Sequence, residues 1–136
     1  MTIHLSNTAR SAAANAVAAT VDAGAGAGTV ELRTGAQPAT ADDPATGTVL
    51  ATWTLNDPAF DLAVNGTVTL NTPGGISATA SGTGTATYAR CYDSTGAVIF
   101  DGAVGTSGAE FIMVDTAVTA GQTVILQSGT ITFPAA

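Results

Sequence analysis

The side chains best suited to chemistry are few in this chain and far apart in sequence. His4 is the single histidine and Cys91 is the single cysteine. A nucleophilic pair needs its thiol and imidazole within hydrogen-bond reach, and a zinc site needs several such ligands. We therefore expect no catalytic residue, no metal site and no cofactor, and we expect that the chain is not an enzyme.

Two adjacent carboxylates, Asp42 and Asp43, lie in a loop that contains prolines on both sides. A hard cation such as Ca²⁺ takes about six or more oxygen ligands, which two side chains alone do not supply. Adjacent loop carboxylates more often belong to a solvated turn, and we favour that interpretation.

Tyr88, Arg90 and Tyr92 alternate along one predicted strand and therefore share a face of it. Two aromatic rings beside a guanidinium could form a small ligand platform, for example for a carbohydrate. The alternative is a core or interface patch, which we favour because aromatic rings bury large apolar areas. Cys91 lies on the opposite face of the same strand, and we predict a buried, unreactive thiol there.

Charge excludes several kinds of partner. The net charge is −7, with ten acidic residues against three arginines. Three scattered cations cannot neutralise a row of phosphates, so we expect no nucleic-acid binding. The sequence has no basic amphipathic face and no long apolar run, so we expect no membrane binding. Charged residues make up 10% of the chain, which favours a subunit that lies against neighbours in an assembly.

The elements that position these residues begin with a helical arm and a glycine-rich linker over residues 1–28. Ser6 can cap a helix from Asn7 to Val21, a segment without proline or glycine. Glycines alternate with alanines over residues 24–28 and end the helix. Small apolar side chains spaced by four residues could contact the sheet edge or a neighbouring subunit: Leu5, Ala9, Ala13 and Val17.

From Thr29 onward the apolar residues recur with the period of two that is typical of strands. Turn signals separate the strands, with turns expected at residues 73–75, 93–96 and 101–102, and we expect Phe60 and Leu62 to anchor a loop in the core. The predicted strands cover residues 29–34, 48–55, 66–70, 76–80, 84–92, 97–100, 110–114, 123–126 and 129–133, the last ended by Pro134. This spacing predicts a mainly β fold, an antiparallel, jelly-roll-like β-sandwich over residues 29–136, preceded by one Ala-rich helix.

A resemblance to a known group of proteins extends over nearly the whole chain. The segments that carry it are residues 5–10, 22–24, 35–38, 57–60 and 82–90, followed by Asp101-Gly102. Through these segments the chain resembles small virion proteins of tailed bacteriophages. The motifs are structural, and the group brings no catalytic residues with it.

The resemblance implies a non-enzymatic virion structural protein, and a capsid decoration (cement) protein that stabilises the phage head is the first expectation. The implied partners are the major capsid protein or other virion proteins, together with further copies of the chain, with a trimer favoured. The alternative is a tail- or neck-associated protein, structural or host-recognising, with a β-sandwich binding surface. In both cases the implied location is the virion, after synthesis in the host bacterial cytoplasm.

Overall fold

The computed structural model describes residues 3–133, which form one helix and ten strands. The elements are α1 Asn7–Val21, β1 Thr29–Arg33, β2 Val49–Thr54, β3 Thr67–Thr69, β4 Ile76–Thr79, β5 Gly84–Thr85, β6 Tyr88–Tyr92, β7 Val98–Gly105, β8 Phe111–Met113, β9 Ala117–Val118 and β10 Thr123–Thr132. The prediction of a mainly β fold with one N-terminal helix is confirmed. Met1, where the predicted arm starts, and Pro134, the predicted end of the last strand, lie outside the described residues.

Helix α1 has the bounds that the sequence predicts, because Ser6 caps it. The Ser6 Oγ accepts a hydrogen bond from the Ala9 N–H at 3.1 Å, which satisfies one of the free donors of the first turn. The helix packs against β3 and β7 and buries Ala14, Ala18 and Val21. Within residues 3–133, no helix combines the length and hydropathy needed to cross a bilayer.

The glycine-rich segment after α1 is tied to the turn between β6 and β7. The Ser94 Oγ donates a hydrogen bond to the Ala23 carbonyl at 2.9 Å and accepts one from the Gly26 N–H at 3.3 Å. Gly24 has a φ of +95° and lies so close to Ser94 that a Cβ would collide with its hydroxyl. Glycine is therefore required there both by backbone conformation and by space.

Eight strands form one curled sheet in the order β2-β1-β6-β7-β8-β10-β3, with β4 also paired to β10. Strands β5 and β9 form a separate two-stranded ribbon. Strands β7 and β8 run parallel, whereas the other strand pairs of residues 3–133 are antiparallel. The sheet is therefore mixed, which corrects the prediction of a wholly antiparallel one. The jelly-roll-like sandwich is not confirmed, because the eight strands belong to a single sheet.

The core lies inside the curl of this sheet. Val30 and Leu32 of β1 face it, opposite Cys91 and Ala89 of β6. Trp53 of β2 is fully buried there. Its Nε1 donates a hydrogen bond to the Val124 carbonyl of β10 at 3.2 Å, so strands far apart in the sheet order meet across the core. The prediction that Cys91 is buried is confirmed.

Three predicted strand limits are wrong. The segment 84–92 is two strands, because Thr85 pairs with Ala117 in the small ribbon whereas Tyr88 pairs with Arg33 in the large sheet. Residues 101–102 are not a turn, because β7 continues through them and pairs with β6. The predicted strands 123–126 and 129–133 are one strand, β10, which ends at Thr132 and whose pairing with β8 is interrupted by a bulge between residues 126 and 128.

One predicted anchor of the loop between β2 and β3 is also wrong. Phe60 is buried as expected, but Leu62 is 84% exposed. The main chain of this loop is held by side chains of α1 instead of by a second apolar anchor. The Asn15 Oδ1 accepts from the Ala63 N–H at 2.9 Å and the Ser11 Oγ accepts from the Gly66 N–H at 3.1 Å.

Candidate functional site

The predicted ligand or interface patch, Tyr88, Arg90 and Tyr92, lies on the surface of β6 that faces away from the core, beside β1 and β7. Strand register places Arg90 of β6 between Glu31 of β1 and Asp101 of β7. Residues two apart along each strand share this surface. We call these residues the polar face: Glu31, Arg33, Tyr88, Arg90, Tyr92 and Asp101.

The centre of the polar face is an ion pair between Arg90 and Asp101. The Arg90 Nε donates to Asp101 Oδ1 at 2.6 Å, and Nη2 donates to Oδ2 at 2.9 Å. Both side chains are only 4% exposed. This bidentate hydrogen bonding raises the pKa of Arg90 above its ordinary value. The guanidinium therefore stays charged, with two of its nitrogens donating to Asp101.

Tyr92, Glu31 and Arg33 form the second group on this face. The Tyr92 hydroxyl donates to Glu31 Oε1 at 2.8 Å. The same oxygen accepts from Arg33 Nε at 3.3 Å and from Nη2 at 3.2 Å. Burial, and then the hydrogen bond to Glu31, raise the pKa of the Tyr92 hydroxyl. The phenol is thus held neutral and works as a donor within the chain.

Tyr88 is covered by the loop between β1 and β2, residues 34–48. Its hydroxyl donates to the Thr46 carbonyl at 2.9 Å and accepts from the Thr46 N–H at 2.9 Å. The ring is fully buried. Tyr88 therefore helps to hold this loop, together with Arg33, whose Nη1 donates to the same Thr46 carbonyl at 3.3 Å.

The structure thus brings the three predicted residues together but turns most of their polar groups towards the chain itself. Tyr88 is fully buried, Arg90 is almost fully buried and Tyr92 is half-buried. A ligand or interface role for this patch stays a prediction, and burial leaves Tyr92 as the residue that a partner could reach. Glu31, Arg33 and Asp101 were missed by sequence reasoning. These three residues could have been found from the sequence, because they alternate with apolar residues on the strands that neighbour β6.

Helix α1, which carries the predicted assembly arm, packs against the protein's own sheet through another face, so a role of the arm in assembly stays a prediction. Leu5 and Ala9 are exposed and Ala13 and Val17 are half-buried, because the buried face of α1 lies one residue further along. The residues that fix α1 are polar and were not predicted: Ser11, Asn15 and Asp22 accept hydrogen bonds from Gly66, Ala63 and Ala59. Their spacing of four and seven residues places them on one face of the helix, and this spacing could have identified them from the sequence.

The loop held by these three side chains presents large apolar residues to solvent. We call residues 61–66 the apolar loop. Leu62 is 84% exposed and Val64 is 69% exposed. The loop main chain is fixed on both sides, by α1 and by a hydrogen bond from the Asp61 N–H to the Thr69 carbonyl at 2.9 Å. The main chain that carries the two apolar side chains is therefore fixed, while the side chains themselves remain exposed.

The described residues include one cysteine thiol that could act as a nucleophile, and the carboxylates and His4 are the other side chains that could bind a metal ion. Burial raises the pKa of the Cys91 thiol to about 12, so it is neutral at physiological pH. Among residues 3–133, no group of three or more His, Cys, Asp or Glu side chains is placed to hold a metal ion.

Comparisons of the chain with models of protein families, with curated proteins and with solved structures give no match.

Proposed function

We propose that this protein is a non-enzymatic structural subunit of a virion, a capsid decoration protein that stabilises the phage head. The observation that carries the proposal is the apolar loop, with Leu62 84% and Val64 69% exposed. Large apolar side chains that a monomer leaves in water mark surfaces that another molecule covers. The resemblance to small virion proteins of tailed bacteriophages supplies the kind of assembly.

The way the apolar loop is held suits a permanent contact. Asn15 and Ser11 bind the main chain at Ala63 and Gly66, so the loop is ordered before any partner arrives. Binding through an ordered segment avoids the entropy cost of fixing it on contact. Leu5, which precedes the capping residue Ser6 of α1, is 42% exposed and adds apolar surface near the same helix. We propose that α1 and the apolar loop together face the major capsid protein or another virion protein.

The charge distribution supports a position on the outside of a container of DNA. Arg33 and Arg90 are paired with carboxylates of the same chain. Arg10, the third cation, donates to the Phe133 carbonyl at 2.7 Å and to Asn7 Oδ1 at 2.9 Å. The cations are thus engaged internally, while the net charge is −7. Such a surface suits protein neighbours better than phosphates.

The proposal includes two statements about architecture. First, the two ends of the curled sheet act as the two layers of a jelly-roll-like sandwich, supported by the hydrogen bond from Trp53 of β2 to Val124 of β10 across the core. Second, the protein forms a homo-oligomer, with a trimer favoured. Light scattering of the purified chain measures the second statement directly, since a trimer has three times the chain mass of 13.2 kDa.

The test of the function is the copy number of this protein in purified virions of the phage that encodes it. Quantitative mass spectrometry against the major capsid protein gives the number. A copy number comparable to that of the capsid protein supports decoration. A few copies per particle would move the protein to the tail or neck, and absence from the particle would overturn the virion proposal.

A further inference from the structure

We propose that the edge of β10 beside Val114 binds an extended peptide segment of another protein by adding a strand to the sheet. We call the residues involved the splayed edge: Val114, Asp115, Thr123, Val124 and Ile125. The segment that fits it has a basic side chain next to an apolar one. This inference is independent of the virion proposal, because it follows from strand geometry, a cleft and charge.

The first step is the direction of the backbone polar groups in β10. The Ala80 N–H donates to the Gln122 carbonyl at 2.7 Å, on the side of β10 where β4 lies. In an antiparallel pair, successive residues direct their N–H and C=O groups to alternate edges. Gln122 and Val124 therefore face β4, whereas Thr123 and Ile125 face the opposite edge.

The second step is the absence of a strand along that opposite edge. β8 pairs with β10 from Leu126 onward, through Met113, and the chain bends away at Val114. Within residues 3–133, no strand lies beside Thr123–Ile125 on this side. Unpaired strand edges of this kind are templates for another extended chain.

The third step is the space beside the edge. A cleft of about 220 Å³ lies between Val114-Asp115 and residues 122–125. Val114 is 68% exposed at its wall and Ile125 is partly exposed. An extended segment entering the cleft would pair its backbone with β10 and cover these apolar side chains.

The fourth step is charge, which selects the segment. Asp115 lines the cleft, and its Oδ1 already accepts from the Ala117 N–H at 2.9 Å. The carboxylate is fixed in place by that bond while remaining exposed, and the chain as a whole is strongly acidic. A second copy of this chain would bring further acidic residues and has three arginines that are engaged internally. A basic, alternating segment of a different protein is therefore the occupant.

The test uses the full chain and an end-blocked synthetic peptide, Ser-Val-Arg-Val-Ser, with binding followed by NMR. We expect shift changes at the backbone amides of Thr123 and Ile125 and at Val114. Two N-methylated forms of the peptide, one methylated at the odd positions and one at the even positions, keep every side chain. Successive N–H groups of a strand point to opposite edges, and the bound peptide would pair through one edge. One methylated form should therefore bind like the parent peptide, and the other should lose binding.

Variants of the chain sharpen the result. Thr123→Pro removes an N–H on the open edge, where proline is tolerated in strands, and should abolish binding, whereas Thr123→Ala should not change it. Asp115→Asn should weaken binding about two- to fivefold, the size expected of an exposed ion pair. No binding of the parent peptide at millimolar concentration would overturn the proposal. Equal effects of the two methylation patterns would do so as well, as would dimerisation of the chain through this edge.

Discussion

The polar face and the apolar loop differ in which of their side chains bind other parts of the chain and which remain exposed to solvent. On the polar face, arginine, tyrosine and carboxylate side chains bind one another and hold the loop over residues 34–48. In the apolar loop, modest polar side chains of α1 bind the main chain and leave Leu62 and Val64 in water. The residue types associated with chemistry stabilise the fold here, and ordinary aliphatic residues are the ones that remain exposed.

The largest effect expected from this comparison concerns thiol reactivity beneath the polar face. Burial raises the pKa of Cys91 from 9.0 to about 12. At pH 8 its thiolate fraction should be about a thousandfold below that of an unperturbed thiol. Iodoacetamide should therefore modify folded Cys91 at least that much more slowly than it modifies the unfolded chain. A Cys91→Ala, Thr123→Cys variant places the thiol at the splayed edge, where ordinary reactivity is expected.

The raised pKa of Cys91 also predicts the direction in which the free energy of unfolding changes with pH. A thiol whose pKa is raised in the folded state stabilises the fold fully below pH 9.0, and that contribution is lost as the pH rises towards about 12. Tyr92, whose pKa is also raised, acts in the same direction. Urea unfolding between pH 8 and pH 11 should show falling stability, and Cys91→Ala should flatten the fall. An unchanged slope in that variant would contradict the assignment to Cys91.

The second effect is the cost of opening the polar face. Asp101→Ala leaves the Arg90 guanidinium nearly buried without its carboxylate, and should lower the free energy of unfolding by about 3 kcal/mol. Urea denaturation measures the change. A double variant, Arg90→Met with Asp101→Leu, removes both charges and should cost clearly less. Equal losses in the single and double variants would mean that packing, and not the unpaired charge, sets the cost.

The third effect is the cost of releasing the apolar loop. Asn15→Ala removes the acceptor of the Ala63 N–H and should lower the free energy of unfolding by about 1 kcal/mol. The Ala63 amide should also exchange with deuterium faster. Asn15→Asp is the matched control, since its carboxylate keeps an acceptor in the same place. If Ala63 stayed equally protected in the alanine variant, α1 would not be what orders the loop.

The smallest effect on stability should come from the exposed side chains themselves. Leu62→Ser with Val64→Ser should change the free energy of unfolding by less than about 0.5 kcal/mol, as expected of surface positions. The same pair should weaken attachment to capsids, measured by co-sedimentation. Phe60→Ala, at the buried neighbour, is the control and should cost about 3 kcal/mol. A large stability loss in the serine pair would mean that the two side chains are covered within the chain.

Local patterns predicted much of the fold. Ser6 and the uninterrupted segment to Val21 gave the helix with its observed bounds, and alternation placed Ala89 and Cys91 on the core side of β6. The remaining strand limits and pairings depend on contacts with residues that are distant in sequence. Asp101-Gly102 has the composition of a turn, yet it is strand because Asp101 lies opposite Arg90 and Gly102 leaves room for the Phe111 ring. The parallel pairing of β7 with β8 has no local signature.

The candidate site was predicted only in part for the same reason. Alternation on β6 correctly grouped Tyr88, Arg90 and Tyr92, but burial depends on residues 34–48 folding over Tyr88. The sequence did not indicate which face of α1 packs against the sheet, because alanine at most positions gives no contrast between faces. Leu62 was expected inside because of its hydropathy, and hydrogen bonds to the loop main chain decide otherwise.

The internal engagement of Arg10, Arg33 and Arg90 has a consequence for how copies of this protein meet. With its cations bound within the chain, each copy presents a mainly anionic surface to the next. Like charges repel over a Debye length of about 8 Å at physiological ionic strength, and added salt shortens that range. Close packing of many copies should therefore become more favourable as ionic strength rises, the reverse of the behaviour of proteins that bind nucleic acid.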